Sequence, residues 1–334
     1  MHHPRHTNRR DTARDNGSDR MRVLVHKRRG DQVVLGAIQE RSPGGFKVSL
    51  SAAGLETFLQ GRSTNIQPMI IAEALRQATI LAAHELFDVP RGWAFLMDRL
   101  VVDLTELPEQ PDLSAVGLSL STRDVVTRNG RLSSLVSEVV FLVNDVRVAH
   151  GEGYLRVLEP RVYARLRGQR EISSSLPSPG LEGGFRLHDV STGPQRRWHV
   201  SIDPGDPFFF DHPVDHVPGM ILFAAAIDGV SRASGVSAND LAFFDGVFDR
   251  FVELTEPLSL IVDLHMMAAD HLEFEVSADG SRGSHAFRAR LLVRPGPAVA
   301  QPGTSSVRGP TSRESVDRAQ TADATHTIAA ACVP

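Results

Sequence analysis

Gln67-Pro-Met-Ile-Ile-Ala-Glu-Ala-Leu-Arg-Gln77, running on to about Leu86, decides how the rest of the chain is read. Pro68 suits the first turn of a helix, where its missing N–H would have no partner. The residues after it are apolar almost all the way round: Met69, Ile70, Ile71, Ala72, Ala74, Leu75, Ala78, Ile80 and Leu81. Such a helix is buried rather than laid on a surface. Glu73, Arg76, Gln77 and His84 nevertheless fall on one polar line along it. Two readings of that line stay open. One is a charged edge that reaches water; the other is a site on a buried helix, since an unpaired buried charge is costly.

Composition narrows the classes around this helix. The 334 residues are 41% hydrophobic and 23% charged, enough for one large or two small globular domains. A net charge of -4 leaves no electrostatic footprint for nucleic acid. One cysteine, Cys332, allows neither an internal disulfide nor a cysteine metal cluster. No apolar run reaches the roughly 18 residues that span a bilayer. The N-terminus, Met1-His-His-Pro-Arg-His, lacks the apolar region of a secretory signal. A soluble, cytoplasmic protein is predicted, with no cofactor and no metal.

In chain order, residues 1–20 are polar and aperiodic, and are predicted disordered. A first repeat is placed at 21–158. It has strands over 32–40 and 46–50, a polar loop to Asn65, the central helix, and strands over 93–103, 115–121, 132–143 and 147–158. Arg128-Asn-Gly130 reads as a hairpin turn. Residues 159–193 are rich in Arg, Ser, Pro and Gly and read as a linker. A second repeat is placed at 194–294. It has a strand over 198–202, a loop with two histidines over 207–218, an apolar helix from Gly219 to about Ser231, and strands over 243–254, 258–266, 272–278 and 285–293. Phe95 to Glu106 aligns with Phe244 to Glu256 if a small insertion is allowed. Two copies of one buried helix followed by antiparallel strands suggest a sheet wrapped around a helix, made twice. The tail from 295 to 334 is predicted disordered.

Both helix starts resemble the A-factor biosynthesis family of filamentous actinomycetes, which makes γ-butyrolactone, butenolide and furan signalling molecules. Gln67-Pro-Met-Ile-Ile-Ala-Glu73-Ala-Leu-Arg76-Gln77, followed by His84 and Val89-Pro90, is similar to the family's first pattern. Phe210-Asp-His-Pro-Val-Asp-His-Val-Pro-Gly-Met220 matches its second pattern in full, and Val25-His-Lys-Arg28 also fits. The resemblance covers residues 22–293. It implies an α+β fold of the tandem, or double, hotdog type, each repeat an antiparallel sheet around one long buried helix.

The resemblance also implies a site built between the repeats. Glu73 would be the general base, His212 would share the proton, and the Gly219 amide would stabilise an oxyanion. Arg76 would receive phosphate, with Gln77, Asp211, Asp215 and His216 as further substrate-binding residues. Local turn-shaping roles for Asp211, His212, Asp215 and His216 stay open beside this, as does a plain Glu73–Arg76 ion pair. His26, His84, His150 and His285 read as strand or surface histidines. In the second helix the family's Glu, Arg and Gln are replaced by Ala224, Ile227 and Asp228, which implies a second site that is chemically empty or holds an acyl chain. The implied activity is transfer of a β-ketoacyl group from an acyl-carrier-protein or coenzyme A thioester to dihydroxyacetone phosphate. Its rivals are a hotdog dehydratase or thioesterase, and a degenerate paralogue that binds an acyl thioester or lactone without turnover. A homodimer is a further possible assembly.

Overall fold

The computed structural model describes residues 19–59, 66–108, 111–280 and 285–294. A short helix α1 over residues 19–24 leads into β1 (Leu35–Ser42) and β2 (Gly45–Leu50). Next come α2 (Ala52–Leu59) and α3 (Ile66–Phe87). Then follow β3 (Ala94–Asp103), β4 (Val116–Arg128), β5 (Arg131–Val143) and β6 (Val146–Leu158). After α4 (Pro160–Arg167) the pattern recurs as β7 (Phe185–Asp189), β8 (Arg196–Ile202) and α5 (Gly219–Ser234). It closes with β9 (Leu241–Phe248), β10 (Leu258–Met267), β11 (Leu272–Asp279) and β12 (His285–Val293).

The strands form one 12-stranded sheet in the order β1-β2-β4-β5-β6-β3-β9-β12-β11-β10-β8-β7. Read from its two edges inward, the order is the same for both repeats. The repeats meet where β3 pairs antiparallel with β9, with Val101 opposite Asp245. Arg99 grips Asp245 across this seam through two bonds of 2.7 and 2.6 Å. Phe95 to Asp103 and Phe244 to Phe248, the leading parts of the segments aligned in sequence, lie on the two strands that pair at the centre. Asn129 and Gly130 both have positive φ, 52° and 73°, as a two-residue type I′ hairpin between β4 and β5 demands.

Each long helix packs on strands of its own repeat, α3 chiefly against β5, β6 and β3, and α5 against β10, β11 and β7. The helix α3 approaches β6 closely at Gly151 and Gly153. A Cβ on Gly153 would lie 2.5 Å from Thr79 Oγ1 and 2.9 Å from Ser137 Oγ. These two hydroxyls are themselves bonded at 2.5 Å. Gly153→Ala is expected to lower stability by about 1–3 kcal/mol through overpacking, read as a reduced urea midpoint at unchanged slope.

Several expectations shift. The loop expected between β2 and α3 contains α2; residues 60–65 lie outside the described residues. The stretch 159–193 expected to be a linker carries α4 and β7, and β7 pairs with β8 as an edge strand of the sheet. The strand expected to reach residue 254 ends at Phe248. Residues 19 and 20, expected to be disordered, are helical, and Arg20 bonds Glu85 at 2.6 Å. Residues 1–18 and 295–334, Cys332 among them, lie outside the described residues. Among the described residues, no helix is long and apolar enough to cross a membrane.

Candidate functional site

The polar line on α3 does not face water. Glu73 is 1% exposed and surrounded by donors. Its Oε1 takes bonds from Arg76 Nη2 at 2.7 Å and Gln77 Nε2 at 2.7 Å, with Lys27 Nζ at 3.2 Å. Its Oε2 takes Arg76 Nε at 2.8 Å. Burial favours the neutral acid, but Arg76 and then Lys27 outweigh it and hold Glu73 at about 2. Burial pushes the Lys27 ammonium below its usual range, opposed by Glu73. Its side chain is 6% exposed and sits 5.4 Å from the centre of the Phe208 ring.

This geometry does not suit the general-base role expected for Glu73. A base needs an open lone pair and a pKa near the working pH. Here both oxygens are occupied and the carboxyl is a very weak base. Glu73 instead holds Arg76 and Lys27. Gln77 is equally committed: its Nε2 also bonds Gln32 O at 2.8 Å, and its Oε1 accepts from the Val34 amide at 3.1 Å. The side chain expected to bind substrate thus ties α3 to the chain entering β1.

The second repeat reaches the cluster through the loop before α5. The Asp211 carboxylate accepts from the Arg28 amide at 2.5 Å and the Arg29 amide at 3.1 Å. These bonds lock the Lys27 segment to the second repeat. Burial raises the Asp211 pKa, but the His212 ring, the Arg28 amide and Lys27 bring the net shift below the usual range. Asp211 is thus a cross-repeat tie, not an open substrate ligand. It is close enough to Arg76 to help raise that guanidinium's pKa; burial opposes the rise, and Glu73 dominates it.

His212 is different. Its side chain is 42% exposed, yet its Nδ1 is buried and has no hydrogen-bond partner among the described residues. Asp211 Oδ2 lies 3.8 Å from that nitrogen. Arg76, 23% exposed, bonds Glu73 through Nε and Nη2, which leaves Nη1 for a ligand.

Asp215 and His216 belong to a separate clamp. Asp215 accepts from Tyr163 at 2.8 Å, from Arg167 Nε at 2.9 Å and from His216 Nδ1 at 2.7 Å. Burial acts against the Asp215 carboxylate, but His216, Arg167 and Tyr163 hold its pKa well below the usual range. Arg167 also bonds Glu253 and stacks 4.1 Å over Phe251. The clamp fastens α4 over the loop, so Asp215 shapes it rather than facing substrate. Gly219 opens α5 against the Phe248 ring, and its amide belongs to the first turn, where helix N–H groups lack intrahelical partners.

The equivalent surface of α5 is unlike that of α3. Ile227 is buried, Ala224 carries no polar group, and Asp228 pairs with Arg232 at 3.0 Å. Three residues given no role in the site by the sequence, Lys27, His26 and His84, lie at it. Lys27 was read only as part of a motif; a lysine with apolar Val25 two positions before it was the available signal. His26 and His84 are joined at 3.0 Å between their Nε2 atoms. Among the described residues, no three His, Cys, Asp or Glu side chains are grouped to hold a metal.

Residues 19–159 match the family model of the A-factor biosynthesis hotdog domain. A 2-oxo-3-(phosphooxy)propyl 3-oxoalkanoate synthase of Streptomyces virginiae is 28% identical over 272 residues, covering 78% of this chain and 92% of the relative. A protein of the same name from Streptomyces griseus is 31% identical over 181 residues, 50% of this chain and 60% of the relative. A solved protein with a hot dog fold from Alicyclobacillus acidocaldarius aligns over 80% of this chain and 99% of its own at TM-score 0.45 and 10% identity. The matched domain takes in β1 to β6 with the buried α3, and the Streptomyces virginiae relative runs on through most of the second repeat. The first repeat of this chain is an A-factor biosynthesis hotdog domain, and the second repeat carries the same strand order.

Proposed function

We propose that the chain is an acyltransferase that moves a β-ketoacyl group from an acyl-carrier-protein or coenzyme A thioester to the hydroxyl of dihydroxyacetone phosphate. The product is the 2-oxo-3-(phosphooxy)propyl 3-oxoalkanoate of its relatives' names, a first step towards butyrolactone-type signals. The observation that carries the reading is that an open-edged Arg76 and a half-exposed His212, one from each repeat, both lie near enough to His26 to act on its charge, beside a buried Glu73–Lys27 pair. A phosphorylated acceptor needs a fixed cation for its phosphate and a base for its hydroxyl.

His212 takes the hydroxyl proton. The oxygen attacks the thioester carbonyl, and the Gly219 amide at the α5 N-terminus stabilises the oxyanion. The C–S bond then breaks, and the thiolate leaves with the proton returned by His212. Asp211 orients the imidazole; the 3.8 Å separation is one that substrate binding would tighten. Arg76 Nη1 takes the phosphate while Glu73 fixes the other edge of the fork. With Ala224 and Ile227 on α5, one such site exists per chain.

The test is mass spectrometry of a reaction containing the purified protein, a medium-chain β-ketoacyl thioester and dihydroxyacetone phosphate. The phosphorylated ester or its cyclised product is expected. Free acid without acceptor would select a thioesterase, and binding without any product a degenerate paralogue. Arg76→Lys is expected to raise KM for dihydroxyacetone phosphate about 10–100-fold at little change in thioester KM, because an ammonium cannot serve Glu73 and a phosphate as a fork does.

A further inference from the structure

We propose that His26 is a specificity residue of this site: a neutral imidazole locked in one tautomer, whose bare Nδ1 accepts a hydrogen bond from an amide N–H of the thioester's pantetheine arm. His84 is the positioning residue that sets the lock. This rests on the acyltransferase reading above.

The tautomers follow from the chain of bonds. His84 Nδ1 lies 2.7 Å from the Val89 carbonyl oxygen, which can only accept, so Nδ1 carries the proton. His84 is buried, and burial lowers its pKa, so the ring is neutral and its Nε2 is a bare acceptor. His26 Nε2, 3.0 Å away, must then donate. That leaves His26 Nδ1 as a lone pair. Phe95 meets both rings edge-on, at 4.7 and 5.1 Å between centres, and fixes their planes.

The charges around the pair keep it neutral. Burial, then His84, Arg76 and His212, lower the His26 pKa to about 3. Glu85 and Arg91 act on His84, and Arg76 with Glu73 face the pair's side of α3. On its own segment, Lys27 is paired with Glu73 and the Arg28 amide with Asp211. His26 also has φ of 57°, a left-handed conformation uncommon for a side chain of this size. His26 is therefore an acceptor that does not titrate near neutrality, near enough to Arg76 and His212 for both to act on its charge.

The chemistry of the two substrates leaves few donors for it. The hydroxyl of dihydroxyacetone phosphate gives its proton to His212. Ketone, ester, thioester and phosphate dianion oxygens only accept. The remaining donors are on the pantetheine arm, which coenzyme A and acyl carrier protein share, and its amide N–H groups lie nearest the sulfur.

Histidine side-chain nitrogen NMR on the full chain tests the lock without any turnover. Protonated Nδ1 on His84, protonated Nε2 on His26, and no titration of His26 between pH 5 and 9 are expected, with assignment by His26→Phe. Protonated Nδ1 on His26, or its titration near 6.5, overturns the proposal. Kinetics test the recognition. Wild type should prefer an N-acetylcysteamine thioester over the butyl thioester of the same acyl group about tenfold in kcat/KM, the worth of one hydrogen bond. His26→Phe should lose that preference, read as the ratio of kcat/KM for the two thioesters. A preference that survives His26→Phe overturns the proposal. If wild type transfers neither acyl group, the acyltransferase reading fails instead, and the NMR result still stands alone.

Discussion

Glu73→Gln is expected to destabilise the folded protein by about 3–5 kcal/mol, the cost of leaving buried charge without its partner. Glutamine keeps the shape of the side chain and removes only the charge. Lys27, 6% exposed, and Arg76, 23% exposed, then face each other around a neutral group. Lys27→Met in the same background should recover much of the loss, because the more deeply buried cation is gone. Urea unfolding of the two single variants and the double variant measures this as a coupling energy. Two single-variant losses that simply add in the double variant would show that the pair is not the stabilising unit.

The same carboxylate makes the protein acid-sensitive in a defined window. The folded pKa of Glu73, about 2, lies below its ordinary value of 4.5. Its contribution is thus fully present above pH 4.5 and is lost as the pH falls through about 2. The shift corresponds to about 3 kcal/mol by proton linkage. Glu73→Gln should be less steeply destabilised by acid over this window than wild type.

His212→Ala is expected to cut the transfer rate by about 10²–10⁴-fold, the range for removing a positioned acid–base group. Its stability should change little, since the side chain is 42% exposed and its Nδ1 makes no hydrogen bond among the described residues. The contrast with Glu73 is the diagnostic part. One variant loses fold stability because its side chain is enclosed by donors; the other loses chemistry because its side chain is open. If His212→Ala retains full rate with a medium-chain β-ketoacyl thioester and dihydroxyacetone phosphate, the base lies elsewhere.

Much of this architecture is legible along the chain. The apolar girth of α3 demands burial, alternation marks β2 and β5, and Asn129-Gly130 marks a hairpin. The similar segments beginning at Phe95 and Phe244 mark the two repeats, and their leading residues lie on the strands that pair at the seam. The helix α4 was missed because Pro-Arg-Val-Tyr-Ala-Arg-Leu-Arg carries three arginines and looks solvated. Arg167 is buried only because Asp215, Glu253 and Phe251 surround it. The edge strand β7 is short and shows one buried residue, Leu187, too little alternation to stand out.

The sequence by itself determined the two repeats, the buried helices, the resemblance to the family and the loop that carries His212, because these rest on local periodicity and contiguous motifs. Only the tertiary structure decided which polar side chains are already spent. Glu73 reads as a base and Gln77, Asp211 and Asp215 as ligands in the chain, yet each is engaged by partners that include distant ones: Lys27, the Val34 amide, the Arg28 amide and Arg167. Arg76 and His212 keep an open edge. A residue's type and spacing announce what it can bind, but its lone pairs and protons are allotted by neighbours brought from elsewhere, and in a buried site almost all of them must be used.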